Sequence, residues 1–140
     1  MDTENITAIK VTCAIIEKDG KILAAQRSEK MSLPLKWEFP GGKIENLEKP
    51  EECILREIKE ELGIDLNIKY MLKSNTHCYG NRKIELIPFV CSIAGGDIIL
   101  KEHKAVLWDF PLNLKNLDWA EADIPIYNQY LSLVKGQGLK

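Results

Sequence analysis

Three glutamates lie close together in a segment with helical character, at positions that place their side chains on one face. Glu57, Glu60 and Glu61 have the spacing i, i+3 and i+4, and residues at these intervals are neighbours on an α-helix. Neighbouring carboxylates repel one another unless a cation binds between them. A hard divalent cation such as Mg²⁺ prefers oxygen ligands and usually reaches a protein site together with phosphate groups. The spacing therefore leaves two interpretations open, a solvated acidic surface or a metal site.

The helix that would carry these glutamates has recognisable start and stop signals. Pro50 suits the first turn, where its missing N–H would have no partner. Glu51 and Glu52 place negative charge near the positive end of the helix dipole, and Gly63 can adopt the left-handed conformation that ends a helix. We therefore predict a helix from about Pro50 to Leu62. Its apolar side chains fall on a neighbouring arc that is expected to face a core, and they are Ile54, Leu55, Ile58 and Leu62.

The glutamates belong to a longer pattern that favours the metal site. Gly42 is followed after five residues by Glu48, and after seven more by the run REIKEELGI, which begins at Arg56. Seven fixed residue types and two aliphatic positions would match by chance on the order of once in a billion starting points. The pattern resembles the signature box of the Nudix hydrolase family at every specified position. The resemblance implies that Gly42, Glu48 and Gly63 have structural roles in the box.

Composition indicates a single globular domain over residues 1–140, with one sizeable core. The net charge is −2, with 45% hydrophobic and 29% charged residues, which argues against a nucleic-acid or membrane partner. The first ten residues include acids and no long apolar run, so no signal peptide is expected, and no segment has the roughly 20 apolar residues of a membrane span. Four scattered cysteines, without a close pair, predict reduced thiols in the cytoplasm and argue against a zinc site.

Apolar alternation and turn residues predict a mixed sheet with two main helices, one on each face, which is the α/β class. The same arrangement, an α/β/α sandwich around a mixed β-sheet, is what resemblance to the Nudix fold implies. Pro88 is expected to mark a bulge or an edge position. The predicted strands cover residues 9–15, 21–26, 37–39, 65–73, 82–93, 98–100 and 105–109, with loops at 28–36 and 75–81, turns at 19–20 and 40–42, a helical turn within 111–117 and a second helix over 124–134.

The resemblance also implies a chemistry. In Nudix enzymes the box helix holds Mg²⁺ or Mn²⁺, and water attacks a phosphate of a diphosphate linkage. A metal ion neutralises phosphate charge and acidifies bound water, and a carboxylate can then orient or deprotonate that water. Arg56 would hold the carboxylates by ion pairing, and Glu48 would brace the loop against the helix. The metal ligands that the resemblance implies are the carbonyl of Gly41 and the side chains of Glu57, Glu60 and Glu61.

In MutT-like members of the family, one metal ligand often comes from outside the box, from a glutamate that precedes the next strand. Glu102 occupies the corresponding place, before the strand over residues 105–109. It could bind a second metal ion or act as the base, and the alternative is an ordinary acid in a loop. His103 beside it suggests a general base, but a lone histidine at a surface is more often simply solvated, and His77 is a weaker candidate still. Spacing cannot rank the acids, so the identity of the base stays open among them.

The stretch WEFPGGKIE, which starts at Trp37, is similar to the corresponding stretch of MutT and its close relatives. Those enzymes hydrolyse nucleoside triphosphates to the monophosphate and pyrophosphate. Arg27 matches an arginine that meets the nucleotide and could bind phosphate through two donors, the alternative being a rim arginine. Phe39 and Phe89 could stack on a base, although aromatic residues in strands more often belong to the core. The predicted substrate-binding residues are Arg27, Ser32, Glu38, Phe39, Pro40, Gly41, Phe89 and Asp123.

Asp123 stands where MutT-like enzymes carry the residue that reads the edge of the base, and it could also cap the last helix. An ionised aspartate only accepts hydrogen bonds, which suits the exocyclic amine of cytosine. CTP or a modified (d)CTP is therefore the favoured substrate, with 8-oxo-dGTP as the alternative. A non-catalytic nucleotide sensor and an enzyme for dinucleotides or sugar nucleotides are less favoured. The protein is expected to be a monomer or a homodimer.

Overall fold

The computed structural model describes residues 7–136, so residues 1–6 and 137–140 of the predicted domain lie outside the described part. No helix in the described part is long and apolar enough to cross a membrane. The strands and helices are β1 (Ile9–Lys18), β2 (Lys21–Gln26), β3 (Trp37–Glu38), β4 (Gly41–Lys43), α1 (Pro50–Leu62), β5 (Asp65–Met71), β6 (Asn75–Tyr79), β7 (Arg82–Gly95), β8 (Ala105–Asp109) and α2 (Asp123–Lys135), with a short 3-10 helix at Pro111–Leu114.

The strands form one mixed sheet around the central pair β1 and β7. These two strands run parallel, and β7 also pairs antiparallel with β5 and β6. β1 pairs with β2 only near the hairpin, at Glu17–Ile22 and Lys18–Lys21, and then pairs with β4 over Val11–Cys13. β2 continues beside β3 and β8. Because β1 and β2 separate beyond the hairpin, the β3–β4 segment lies between them. Residues 38–42 therefore lie in the gap between the two strands.

Two apolar clusters cover the two faces of the sheet, as the alternation along β1 requires. Cys13 and Ile15 face a cluster that contains Ile126 and Tyr130 of α2. Ala14 and Ile16 face the opposite cluster, which contains residues of α1. The predicted α/β/α sandwich around a mixed sheet is therefore confirmed.

Helix α1 has the predicted bounds because its end signals are local. The N–H of Lys49 donates to the Glu52 carboxylate at 2.8 Å, and Gly63 adopts the left-handed conformation at φ 73° and ends the helix. Ile54, Ile58 and Leu62 are buried as expected. Leu55 was predicted to join them and is instead 40% exposed, because it lies at the edge of the apolar arc.

Two segments differ from the predicted secondary structure around β7. Residues 75–79 were predicted to be a loop but form β6, which pairs with the first half of β7 over Leu86 to Arg82. Residues 98–100 were predicted to be a strand but pair with no other strand. Their backbone instead supplies a donor to the end of α1, since the N–H of Ile99 bonds the carbonyl of Leu62 at 2.9 Å. Carbonyls of the last helical turn need such partners.

The two prolines near the sheet also behave differently from the prediction. Pro88, predicted to mark a bulge or an edge position, lies within the central strand β7 and pairs in regular register with Cys13 of β1. The register shifts between β5 and β7 fall elsewhere, next to Leu66 and Tyr70. The carbonyl of Pro88 accepts from the N–H of Leu72, between the stretches that pair with β5 and β6, so the missing N–H of this proline falls where the partner strand changes. The segment after Pro40 was predicted to be a turn, but Gly41–Lys43 forms the short strand β4.

Candidate active site

A cleft of about 380 Å³ opens beside the β3–β4 segment. Helix α1, strand β1, the β6–β7 hairpin, the loop over residues 28–36 and the start of α2 all contribute to its wall. A more open cavity of about 440 Å³ near the β1–β2 hairpin contains none of the predicted site residues. The first cleft is lined by Val11, Thr12, Arg27, Met31, Ser32, Leu33, Glu38, Phe39, Gly41, Gly42, Glu61, Tyr79, Arg82, Ile84, Leu86, Ala120, Ala122 and Asp123.

Glu61 lines the side of the cleft that α1 contributes, which we call the acidic end, and its carboxylate is buried. The residue is 8% exposed, and its Oε1 has no hydrogen-bond partner among the described residues. Burial, together with the negative charges of Glu38, Glu57 and Glu102, raises the pKa of Glu61 to about 9. A buried carboxyl group with this cost of ionisation is either protonated or ionised next to a bound cation.

Arg56 organises the other acids of this end. Its Nε and one terminal nitrogen bind both oxygens of Glu48, at 2.6 and 2.9 Å, and this pairing lowers the pKa of Glu48 to about 2. The other terminal nitrogen lies 2.9 Å from Glu57 Oε1 and 3.2 Å from Glu60 Oε2. Arg56 thus fixes the loop to α1 and partly neutralises Glu57 and Glu60, but it makes no ion pair with Glu61.

The two glycines of β4 allow the backbone to approach its neighbours closely. A Cβ atom at Gly41 would overlap the backbone of Thr12, and one at Gly42 would overlap the carboxylate of Glu57. Gly42 therefore leaves the space beside β4 that the carboxylate of Glu57 occupies. The carbonyl of Gly42 accepts from the hydroxyl of Thr12 at 3.1 Å, which ties β4 to β1 at this point.

Asp123, the first residue of α2, lines the side of the cleft that α2 contributes, which we call the base end. It is 6% exposed, and its Oδ2 accepts the N–H of Phe39 at 2.8 Å. Burial raises its pKa well above the usual value, and the charge of Glu38 adds to this effect. The side chain makes no cap for α2, whose N-cap position is Ala122, so the helix-cap alternative is wrong. A raised pKa means that Asp123 can donate as well as accept, unlike the ionised form assumed from the sequence.

Arg27 does not present a free guanidinium to phosphate, as the sequence suggested. One terminal nitrogen binds Glu38 Oε1 at 2.7 Å, the other binds Ser32 Oγ at 2.9 Å, and Nε donates to the Ser32 carbonyl. Three of its five N–H donors are therefore used within the protein. The structure gives Arg27 a different place, in which it holds Glu38 at the cleft wall and fixes the loop over residues 28–36.

The two phenylalanines predicted to stack on a base lie in different surroundings. Phe39 lines the cleft, and its ring packs against Trp119 with centroids 4.8 Å apart. Phe89 is 1% exposed in the cluster beneath α1, so its predicted contact with substrate is wrong and it is a core residue. Pro40 is also buried outside the cleft lining, and its carbonyl accepts the N–H of Ala14 at 2.8 Å.

Comparisons with known proteins decide the family. The model of the NUDIX domain matches residues 7–129. The chain belongs to the Nudix hydrolase family. It is 36% identical over 125 residues to a CTP pyrophosphohydrolase of Escherichia coli, covering 89% of this chain and 93% of the relative. It is 41% identical over 76 residues to an 8-oxo-dGTP diphosphatase of Proteus vulgaris, covering 54% of this chain and 68% of the relative.

Solved structures agree with this assignment. The solution structure of the Escherichia coli ORF135 protein superposes with a TM-score of 0.83 at 33% identity, and the match covers 96% of each chain. The predicted family and fold class are therefore confirmed. Nudix hydrolases generally use divalent cations.

The acidic end fits such a cation in its donor chemistry. In the region from residue 7 to residue 136, no three acidic, histidine or cysteine side chains already converge on one point. Mg²⁺ needs only one or two carboxylates because it keeps several waters and binds substrate phosphates. The unpartnered oxygen of Glu61 and the second oxygen of Glu57 meet that need, with Glu60 and Glu102 nearer to solvent.

Sequence reasoning missed two residues that line the cleft of this Nudix site, Tyr79 and Arg82. Tyr79 lines the cleft, and its hydroxyl accepts the N–H of Ala122 at 2.8 Å, while Arg82 lines the same wall and makes no ion pair among the described residues. A hairpin signal at Gly80, whose φ is 61°, could have placed both. His103 was expected to be solvated but is buried against Glu38. His77 lies outside the cleft lining, 3.3 Å from Glu121.

Proposed function

We propose that this Nudix enzyme is an Mg²⁺-dependent nucleoside triphosphate pyrophosphohydrolase that favours CTP or a modified (d)CTP. Mn²⁺ would substitute for Mg²⁺. The products would be the nucleoside monophosphate and pyrophosphate. The similarity to the Escherichia coli CTP pyrophosphohydrolase over most of both chains supports the substrate class.

One observation carries the proposal. A single cleft contains an unpartnered carboxylate oxygen of Glu61, contributed by α1, and the buried carboxyl of Asp123, contributed by α2. A nucleoside triphosphate has the matching polarity, because its polyphosphate brings cations and its base presents hydrogen-bonding groups. Phe39, Ile84 and Leu86 supply apolar wall in the same cleft, which suits a planar base.

The roles of the chain's own residues follow from their contacts. A bound divalent cation would neutralise the polyphosphate and acidify water. Glu57 and Glu61 would hold it, with Gly41, Glu60 and Glu102 as further ligands. Arg56 would keep the acids oriented through its pairs with Glu48 and Glu57. An unbound carboxylate oxygen of Glu61 or Glu102 would take the proton of the attacking water.

The choice of base depends on Asp123. When ionised it accepts from the amine of cytosine, which favours CTP. Its raised pKa makes a neutral carboxyl accessible, and this form offers one donor and one acceptor, which also suits the altered edge of 8-oxoguanine. Hydrolysis of 8-oxo-dGTP is therefore the second candidate, supported by the Proteus vulgaris relative.

A non-catalytic sensor is less well supported, because every acid of the box is present and Glu61 lies in the cleft. A cytoplasmic location, a monomer or homodimer, and one domain over residues 1–140 complete the proposal.

The test is steady-state kinetics with CTP, dCTP, 5-methyl-dCTP, dGTP and 8-oxo-dGTP, measured side by side with Mg²⁺ and with Mn²⁺. Pyrophosphate release is followed after its conversion to phosphate. We expect that one of the cytidine triphosphates has the largest kcat/KM of the five substrates. Absence of turnover with every triphosphate would refute the activity, and an 8-oxo-dGTP value ten times that of the cytidine substrates would reverse the order of the candidates.

A further inference from the structure

His103 lies in a segment that joins the two sides of the cleft. We call residues 96–104 the bridging segment. Near its start the N–H of Ile99 bonds the carbonyl of Leu62 at the end of α1, and at its end the N–H of Lys104 bonds the carbonyl of Gln26, both at 2.9 Å. Between these anchors lies Glu102, the acid expected to serve the reaction from outside the box. The N–H of Lys101 also faces the carbonyl of Glu61, at 3.4 Å, so α1 holds the segment on one side of Glu102. The position of Glu102 then depends on what holds the segment on its other side.

The side chain of His103 holds the segment on that other side, through its contact with Glu38. It is 0% exposed, and its Nε2 lies 2.8 Å from Glu38 Oε2. Its Nδ1 has no hydrogen-bond partner among the described residues. Burying an imidazole with one unpaired nitrogen opposes folding. A leucine of similar size would avoid that penalty, so the histidine is better explained by its contact with Glu38 than by stability.

Glu38 is held from both sides. Its Oε1 accepts from Arg27 at 2.7 Å and its Oε2 accepts from His103 at 2.8 Å, so each oxygen has one partner. The carboxylate also lines the cleft between Glu61 and Asp123. The contact between Glu38 and His103 is thus a side-chain link from the cleft wall to the segment that carries Glu102.

This geometry excludes the direct role suggested by the sequence. An imidazole without solvent exposure, whose Nε2 is engaged by Glu38, cannot reach a water molecule in the cleft. General-base catalysis requires the base to contact the proton that it removes.

We propose that His103 is a positioning residue: its Nε2–H donates to Glu38 and holds the bridging segment so that Glu102 faces the acidic end of the cleft. The inference rests on the proposed hydrolysis. Removing the donor releases the segment beside Glu102 while leaving Asp123, Phe39 and Tyr79 in place. The loss then falls on kcat, and KM for the nucleotide stays close to the wild-type value.

The matched variants are His103→Leu and His103→Gln, which have similar volumes and differ in the donor. Since misplacing a catalytic group by about 1 Å can cost 10²-fold, we expect kcat of His103→Leu to fall by about 10- to 100-fold. The glutamine amide can replace Nε2–H, so kcat of His103→Gln is expected within about 3-fold of wild type, with KM within about 2-fold for both.

Two further variants separate positioning from folding. His103→Asn carries an amide too short to reach Glu38 and should behave like His103→Leu. In a Glu38→Ala background, His103→Leu should have little additional effect on kcat, because the two residues act through one contact. Lys104→Ala is the control in the same segment, since its ion pair with Glu29 is exposed and contributes little, and it should leave kcat unchanged.

Mn²⁺ binding to the metal-free protein, followed by electron paramagnetic resonance, gives a readout independent of turnover. We expect His103→Leu to bind Mn²⁺ several-fold more weakly than His103→Gln, and circular dichroism to show that both are folded. If wild type hydrolyses no triphosphate, the proposed function fails, and the Mn²⁺ comparison still decides the role of His103. Equal Mn²⁺ affinities, or equal kcat values for the leucine and glutamine variants, would overturn the proposal.

Discussion

The two ends of the cleft each contain a buried acid, and their surroundings treat the two acids differently. Glu61 has an oxygen without a partner, whereas Asp123 already accepts the N–H of Phe39 at 2.8 Å. An arginine stands near each end, but Arg56 pairs with Glu48 and Glu57, and Arg27 pairs with Glu38. An ionised acid without a partner is stabilised when a cation binds to it. An acid supported by a neutral donor can recognise the polar edge of a base.

Glu61→Gln should have the largest effect and tests the acidic end. The amide loses the charge that attracts the cation, so we expect kcat with CTP to fall by at least about 1,000-fold. Steady-state kinetics with Mg²⁺ measures this loss. The matched control is Glu51→Gln, because Glu51 is exposed in the first turn of the same helix and is not among the proposed metal ligands. Retention of a tenth of the wild-type kcat by Glu61→Gln would mean that the acidic end has been misassigned.

Asp123→Ala tests the base end and should have the next largest effect. Loss of one hydrogen-bonding group to the base is expected to lower kcat/KM for the preferred nucleotide by about 10- to 100-fold. The Mg²⁺ concentration giving half-maximal rate should not change. Asp118→Ala is the control, because Asp118 is 73% exposed in the same region and pairs only with Lys36. A large shift in Mg²⁺ dependence in Asp123→Ala would show that the two ends are not separate.

The metal-free protein should become less stable as pH rises, because of Glu61. Its pKa is raised from 4.5 to about 9 in the folded state, so the folded protein retains a proton that the unfolded chain loses. The contribution is present in full below pH 4.5 and is lost as pH rises toward 9. Thermal melts between pH 5 and 9 with EDTA should show Tm falling more for wild type than for Glu61→Gln.

Adding Mg²⁺ should reverse that difference at pH 8, since the ionised carboxylate then gains a partner. Identical pH profiles for wild type and Glu61→Gln without metal would contradict the raised pKa of Glu61.

Phe89→Leu should have the smallest effect on activity and a visible effect on stability. Phe89 is packed beneath α1, so the substitution should lower the free energy of unfolding by about 1–2 kcal/mol, measured by urea denaturation. KM for the nucleotide should not change. Phe39→Leu is the comparison on the cleft side, where KM should rise. A raised KM in Phe89→Leu alone would restore the substrate contact that its burial excludes.

Local signals were sufficient for α1 and for the acids it carries. Pro50, Gly63 and the helical spacing of the glutamates act within a few residues of one another, so the sequence predicts both the bounds of α1 and the shared face. The family resemblance then supplied the sandwich and the residues of the cleft, among them Glu38, Gly41 and Asp123. These lie together because β1 and β2 separate, which no local pattern indicates.

The failures concern contacts between distant parts of the chain. Alternation in β7 shows that Phe89 and Pro88 point to opposite faces, but not which face is beneath a helix. His103 is buried by Glu38, which is 65 residues away in sequence. Arg27 was predicted to be free for phosphate because spacing does not reveal that Glu38 and Ser32 reach it first.

Gly42 is a position at which a substitution could inactivate the enzyme while the residues that bind the nucleotide stay unchanged. Since even a single carbon at that position would displace the carboxylate of Glu57, an alanine there should silence the chemistry without altering one charged group. Such a protein would keep Asp123, Phe39 and the rest of its recognition surface. It would be suited to capturing the natural nucleotide from a cell extract, intact and in a form that mass spectrometry can identify.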